Sequence, residues 1–212
     1  MGDEKQPEPR FEENDLGFSW LPDPGELMER ACHAVRLGPA GDVWIVDPVD
    51  VPGLDERIAL VTGEGEGKLT GVLQLLDRHE RDCALLADRH AVPLHRLPFD
   101  GIAGSGLEAV KVISNPAWKE VAIWSQHDRA LIVPEAVGTA RYFRAGDEKV
   151  GIHPFLRLTP PRSLAKYEPD HLLTGHGTGM HGAGTAAALA DGLDGSRRRI
   201  PEALVSMVRS RF

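Results

Sequence analysis

The sequence predicts an α/β (α+β) fold in which two mixed β-sheets pack face to face with helices outside them. An apolar run at 72–76 precedes a polar junction, a helical pattern from Cys83 and another strand at 92–97, which is the order of a β-helix-β unit. Three further apolar runs separated by turn residues predict a second sheet: 109–114, 120–124 and 130–133. Stacked sheets with helices outside are the simplest way to bury both halves.

The first half of the chain opens with a charged segment. Residues 1–15 are acidic and nearly lack apolar side chains, which predicts a disordered tail before a single domain at 16–212. Residues 31–37 and 43–46 predict a hairpin around the Gly-Pro-Ala-Gly-Asp turn. A short helix is expected at 54–60.

The second half ends in helices. A short strand at 172–174 leads into Gly175-His176-Gly177, and helical patterns follow at 183–193 and 201–209. His153 precedes a proline, so it is expected in an extended segment.

Composition narrows the class of protein. The chain has 212 residues, 42% of them hydrophobic, and a net charge of −8, which argues against a nucleic-acid-binding surface. No apolar run reaches the ~18 residues of a membrane span, and two cysteines fit a reducing compartment. We therefore expect a cytoplasmic protein with neither nucleic-acid nor membrane partners; the oligomeric state is open, and a small-molecule ligand is compatible.

The polar junction after the strand at 72–76 is where chemistry is expected, since ligands of α/β proteins bind at the carboxyl ends of strands. Its string Arg78-His79-Glu80-Arg81-Asp82-Cys83 resembles the His-x-His-x-Asp-His motif of metallo-β-lactamase-fold hydrolases. Asp82 falls on a family ligand position, whereas Arg78, Glu80 and Cys83 replace histidines. The resemblance implies a metallo-β-lactamase-like αβ/βα four-layer sandwich.

Other segments carry the same resemblance. Asp47, in Ile-Val-Asp-Pro, is similar to the aspartate that lies beside the family's site, although it could equally cap the following turn. Glu135 stands where the family has a bridging aspartate, and Gly175-His176-Gly177 matches the turn of the last histidine. The family's Gly-His-Ser/Thr histidine has no counterpart within 113–120.

The resemblance implies Asp82, Glu135 and His176 as candidate metal ligands, and Asp82, Glu80 and Arg78 as candidate catalytic residues. A guanidinium cannot ligate a metal. We therefore hypothesise that Arg78, paired with Glu80, Asp82 or Glu135, replaces the family's two-metal centre. The alternative is that Arg78 and Arg81 point to solvent. The expected cofactor is none, or at most one weakly held zinc or other divalent ion.

Other histidines offer a different site. His79 is one residue off the family register, which predicts that it points to another face. His79, His153, His176 and His181 could still assemble a site unlike the family's.

Two functions follow from these residues. One is a hydrolase acting on an ester, thioester or lactone-type small molecule. The other is a non-catalytic protein that binds a small anion or a protein partner in the same cleft. A shared fold alone does not choose between them.

Overall fold

The computed structural model describes residues 7–63 and 67–209, with backbone alone for 207–209. Within these residues, six strands form a first sheet in chain order: β1 (Arg10–Asn14), β2 (Gly17–Leu21), β3 (Cys32–Leu37), β4 (Asp42–Val46), β5 (Leu69–Gln74) and β6 (Leu94–Arg96). Strands β1 to β4 pair antiparallel, whereas β4, β5 and β6 are parallel. The sheet is therefore mixed, as predicted.

The second half of the described chain holds a five-stranded sheet and a separate short ribbon. The strands are β7 (Glu108–Asn115), β8 (Trp118–Ser125), β9 (Ala130–Val133), β10 (Val137–Gly138), β11 (Gly151–Ile152), β12 (His171–Thr174) and β13 (Met180–His181). The sheet order is β13-β12-β9-β8-β7, and β10 pairs with β11. Only the β12–β9 pair of this sheet is parallel among the described residues.

Helices cover the outer faces of both sheets. Helices α1 (Leu54–Gly63) and α2 (Cys83–Arg89) connect strands of the first sheet, and α3 (Thr185–Gly195) and α4 (Ile200–Arg209) follow the second. Short 3₁₀ turns lie at Pro154–Leu156 and Arg162–Leu164. Among the residues that the structure describes, no helix has the length and apolarity needed to span a bilayer.

Strand β4 shows how the layers form. Trp44 and Val46 pack between the two sheets, while Ile45 points the other way and packs against Leu54 and Ile58 of α1. Successive side chains of a strand point to opposite faces, so one strand serves two layers of the core.

Strand β9 does the same in the second sheet. Ile132 faces the first sheet, whereas Leu131 and Val133 pack against Leu189 and Leu193 of α3. The order helix, sheet, sheet, helix confirms the predicted four-layer sandwich.

The predicted tail is wrong for residues 10–14. These residues form β1, in which Phe11 lies opposite Trp20 and its ring contacts that of Phe18 at 5.9 Å. A partner hairpin outweighed the local charge, and charged side chains are common on edge strands. The part of the predicted tail at 1–6 lies outside the described residues.

The carboxyl ends of four strands meet at one edge of the sandwich. Asp47 follows β4, the junction 77–82 follows β5, Glu135 follows β9 and His176 follows β12. Because β4 and β5 are parallel, as are β9 and β12, each sheet brings its two loops to the same edge. Side chains from both sheets converge there.

Candidate active site

Three buried side chains form a cluster where these strand ends meet. The donor atoms of His79, Glu135 and His176 all lie within 4.8 Å of one another. Glu135 Oε2 is 3.6 Å from His79 Nε2 and 3.9 Å from His176 Nε2. A carboxylate between two imidazoles is a set of ligands that suits a divalent transition metal.

His79 is held by groups on both of its ring nitrogens. Asp47 Oδ2 lies 2.9 Å from Nδ1, and Arg81 Nη2 lies 3.2 Å from Nε2. A guanidinium only donates hydrogen bonds, so Nε2 accepts and the Nδ1–H donates to Asp47. Burial, and next the Arg81 charge, lower the pKa of His79, so the neutral ring is favoured.

Arg81 itself is fixed by the backbone. Its Nη1 donates to the carbonyl oxygens of Ala31 at 2.9 Å and Asp47 at 2.7 Å. Arg81 therefore links the residue before β3 to the residue after β4, and its side chain does not point into solvent.

His176 presents a free lone pair to the cluster. Its Nδ1 lies 3.0 Å from the Met28 carbonyl oxygen, which can only accept, so Nδ1 carries the proton. Its Nε2 is buried and has no hydrogen-bond partner among the described residues. The ring stacks on Phe143 with 5.0 Å between ring centroids. An unpartnered buried nitrogen is costly, and this lone pair is free to accept a ligand.

Glu135 is the charged centre of the cluster. Burial would raise its pKa, but the surrounding positive charge, which includes the Arg78 guanidinium, outweighs burial and lowers the pKa to about 2. The direct contact is from Arg78 Nη2 to Oε1 at 3.1 Å, since the His176 distance exceeds hydrogen-bond length. Glu135 is therefore ionised at neutral pH.

A second carboxylate supports Glu135 from behind. Glu120 Oε1 accepts the backbone N–H groups of Glu135 at 3.1 Å and Ala136 at 2.7 Å, and Oε2 accepts Trp118 Nε1 at 2.8 Å. Complete burial raises the pKa of Glu120 to about 7 despite these donors. Glu120 fixes the turn that carries Glu135.

Aromatic rings surround the exposed side of the cluster. The Arg78 guanidinium lies 4.3 Å from the centre of the Trp118 ring, and His153 packs edge-on against the same ring. His153 Nε2 is 3.5 Å from Glu135 Oε1, and burial lowers the pKa of His153 to about 4. Arg78 is the partly exposed member, with 42% of its side chain accessible.

Several solved structures are similar to this chain in fold. TMB-1, described for its substrate and inhibitor binding, has a TM-score of 0.57 at 11% identity over 93% of this chain and 99% of that one. A metallo-β-lactamase from Pontibacter korlensis has a TM-score of 0.53 at 10% identity over 88% and 93% of the two chains. A di-iron-bound form of TTHA1623 has a TM-score of 0.52 at 15% identity over 77% and 92%.

The chain has the metallo-β-lactamase fold. No family model matches the sequence, and no curated protein does either. Identities of this size establish the shared fold alone, and the chemistry depends on the residues that this chain places at the site.

The predicted pairing of Arg78 is confirmed. Its guanidinium contacts Glu135 at 3.1 Å and Asp77 at 3.4 Å. Glu80, the other predicted catalytic glutamate, is exposed and does not join the cluster.

The predicted convergence of Asp82 with Glu135 and His176 is wrong. Asp82 lies at the N-terminus of α2, and its Oδ2 accepts the backbone N–H of Asp50 at 2.8 Å. His79 takes the third position instead. The prediction that His79 faces away is therefore also wrong, because the junction is a loop, with Arg81 at φ 39°, and helical periodicity does not apply to it.

Of the other residues considered in the sequence, one lies beside the cluster and two do not belong to it. Asp47 lies beside the cluster, and its Oδ1 also accepts the Leu75 N–H at 2.8 Å. Cys83 is a buried thiol, and burial raises its pKa, as expected of a structural cysteine. His181 pairs with His171, with 3.1 Å between their Nδ1 atoms, and lies apart from the cluster.

Two features of the sequence indicate a role for His79 and Arg81. Both lie in the same strand-to-helix junction as the resemblance motif, and an Asp follows the neighbouring parallel strand. An imidazole beside that Asp would be oriented by it, as metal-binding histidines commonly are.

The donors present suit one ion. Two imidazoles and a carboxylate leave an open position on a tetrahedral metal, and the Asp47 contact on His79 and the Met28 contact on His176 orient both rings. Against this, Arg78 and Arg81 balance the charges of Asp47 and Glu135, so the cluster offers a divalent cation no excess negative charge.

Proposed function

We propose that the protein is a metal-assisted hydrolase of a small carbonyl substrate, with one weakly held divalent ion at His79, Glu135 and His176. The observation that carries the proposal is the buried, unpartnered Nε2 of His176 facing Glu135. Two ions would require about six or more donors, and the neighbouring positions are taken by guanidinium groups.

Each residue has a distinct part in this proposal. A bound ion would supply a water of lowered pKa and would polarise a carbonyl oxygen. Glu135 and His176 would hold the ion, and His79 would complete the set once Arg81 releases the Nε2 lone pair, while Asp47 fixes the tautomer that presents it. Arg78 is cationic and partly exposed, so it orients an anionic substrate group or stabilises charge that develops on oxygen. Trp118 and His153 exclude water from one side of Glu135.

A non-catalytic function is the second candidate, and two contacts favour it. Arg81 donates to the His79 Nε2 that a metal would need, and Arg78 pairs with Glu135. In that case the guanidinium groups replace the metal, and the accessible Arg78 binds a small anion beside Trp118. This proposal predicts no stoichiometric metal and no hydrolysis.

Two measurements distinguish the two candidate functions. Calorimetry monitors the titration of metal-free protein with zinc, and elemental analysis gives the number of ions bound per chain. We expect one ion per chain, with the affinity reduced at least about tenfold in Glu135→Gln and in His176→Gln. Asp82→Asn is the matched control within the family motif, because its contact with the Asp50 N–H survives in the amide.

A second control covers the surface histidines. The His171–His181 pair can bind zinc on its own, so His181→Gln shows how much of the signal comes from it. Hydrolysis of chromogenic ester, thioester and lactone substrates is then compared with and without zinc. If no ion binds, or if binding disappears in His181→Gln and survives in His176→Gln, the hydrolase proposal fails. Two ions per chain would also contradict it.

A further inference from the structure

A cavity lies apart from the His79–Glu135–His176 cluster. It measures about 580 Å³ and lies between segment 141–149 and the start of α4. A second cavity of about 390 Å³ adjoins the turn at Gly177. Arg144 and Lys149 line both, so the two cavities meet at these side chains. Volumes of this size accommodate small ligands.

Three cations line the larger cavity without partners. Arg141, Arg144 and Lys149 form no ion pair and no side-chain hydrogen bond with any residue in 7–63 or 67–206. The Nε of Arg144 is buried and unpartnered. The three side chains therefore have no carboxylate partner within the described chain, and an anion that enters the cavity can supply one.

The acids of the cavity do not neutralise these cations. Glu148 is fully committed elsewhere, since its carboxylate accepts Arg157 at 2.7 Å and Arg199 at 3.2 Å. Asp147 and Glu202 also line the cavity, yet within the described residues neither pairs with a cation. The cations remain available to an anion that enters the cavity.

We propose that this cavity binds a small organic anion through Arg144 and Lys149. An arginine fork and an ammonium suit a phosphate or a carboxylate. Pro201 and Val205 line the same cavity and provide apolar contact for the rest of the ligand. The proposal does not depend on a metal at His79, Glu135 and His176.

The cavity is linked to the His79–Glu135–His176 cluster through Phe143. Arg144 follows Phe143, whose ring stacks on His176 at 5.0 Å. Thr139 and Gly177 line the second cavity, and the Thr139 N–H donates to the His176 carbonyl oxygen at 2.9 Å. An anion bound by Arg144 therefore contacts the residue that follows Phe143, whose ring stacks on His176.

Calorimetric titration with inorganic phosphate, phenyl phosphate and benzoate tests the proposal, at matched ionic strength in sodium chloride. We expect saturable binding of one anion per chain, with phenyl phosphate tighter than phosphate because of the apolar contact. Tighter binding of benzoate than of phenyl phosphate would assign a carboxylate ligand, which also supports the proposal.

Charge-matched variants show whether binding is local. Lys149→Gln and Arg144→Gln should each weaken binding at least about tenfold, since each removes a charge-assisted hydrogen bond. Lys111→Gln removes an exposed charge on β7 that does not line the cavity, and it should leave affinity unchanged. Lys149 is exposed, so its variant should keep the thermal stability of the wild type even if Arg144→Gln folds poorly. Absence of saturable binding by all three anions, or equal weakening in Lys111→Gln, would overturn the proposal.

Discussion

Replacing Asp47 with Asn should destabilise the protein by about 3 kcal/mol, because both oxygens of the carboxylate are needed. Oδ1 accepts the Leu75 N–H at 2.8 Å and Oδ2 accepts the His79 Nδ1–H at 2.9 Å. An amide has one acceptor, so its NH₂ group must face one of these two donors. Turning the His79 ring tautomer does not help, because Nε2–H would then face the Arg81 guanidinium.

The magnitude follows from the environment of Asp47. Its side chain is 2% exposed, and a lost hydrogen bond to a buried charge costs about 1.5–3 kcal/mol. The loss of a buried negative charge next to Arg81 adds to this cost. Asn tolerates the φ of 44° at this position, so backbone strain does not contribute.

Urea unfolding at pH 7, followed by tryptophan fluorescence, measures the effect. Thermal unfolding should show the same loss as a fall in melting temperature of about 6–12 °C, since 1 kcal/mol corresponds to about 2–4 °C for a chain of this size. Asp170→Asn is the control, since its exposed pair with Arg129 contributes about 0–1 kcal/mol. A loss below about 1 kcal/mol in Asp47→Asn would refute the assignment of Asp47 as the group that orients His79.

Three further changes have defined outcomes. Burial lowers the pKa of His33 to about 4. The neutral ring therefore contributes stability that is complete above about pH 6.5 and is lost as the pH falls towards 4. Urea unfolding should show that the wild type loses more stability than His33→Gln over this pH range. Arg78→Gln should raise zinc affinity about tenfold in calorimetry, because it removes a cation beside Glu135. Glu148→Gln should cost about 3–5 kcal/mol in urea unfolding, because it leaves the buried Arg157 guanidinium without its anion.

Each of these changes has a control or a contrary result. An unchanged difference between wild type and His33→Gln from pH 7 to 4 would contradict the buried neutral ring. Unaltered zinc affinity in Arg78→Gln would show that its charge does not oppose the ion. Asp194→Asn breaks the exposed pair with Arg162 and should cost about 0–1 kcal/mol. An equally small loss in Glu148→Gln would show that burial does not strengthen the Glu148–Arg157 ion pair.

Much of the fold could be predicted from local patterns. The strands at 43–46 and 130–133 alternate between two buried faces, and their apolar runs identify them without knowledge of partners. Turn residues fixed the hairpin between β3 and β4. The edge of the sandwich that carries the site also followed from the sequence, because ligands bind where parallel strands end.

Tertiary structure decided which side chains meet at that edge. The resemblance to the family motif placed Asp82 in the site and His79 outside it, but the loop conformation reverses this, and Asp82 accepts the Asp50 N–H. Partners distant in sequence fix that conformation: Arg81 reaches the carbonyl oxygens of Ala31 and Asp47, 50 and 34 residues away. The same holds for 10–14, where charged residues form a strand because a hairpin supplies the hydrogen bonds. Local sequence sets which segments are strands, whereas the orientation of a loop side chain depends on atoms that only the folded chain brings within reach.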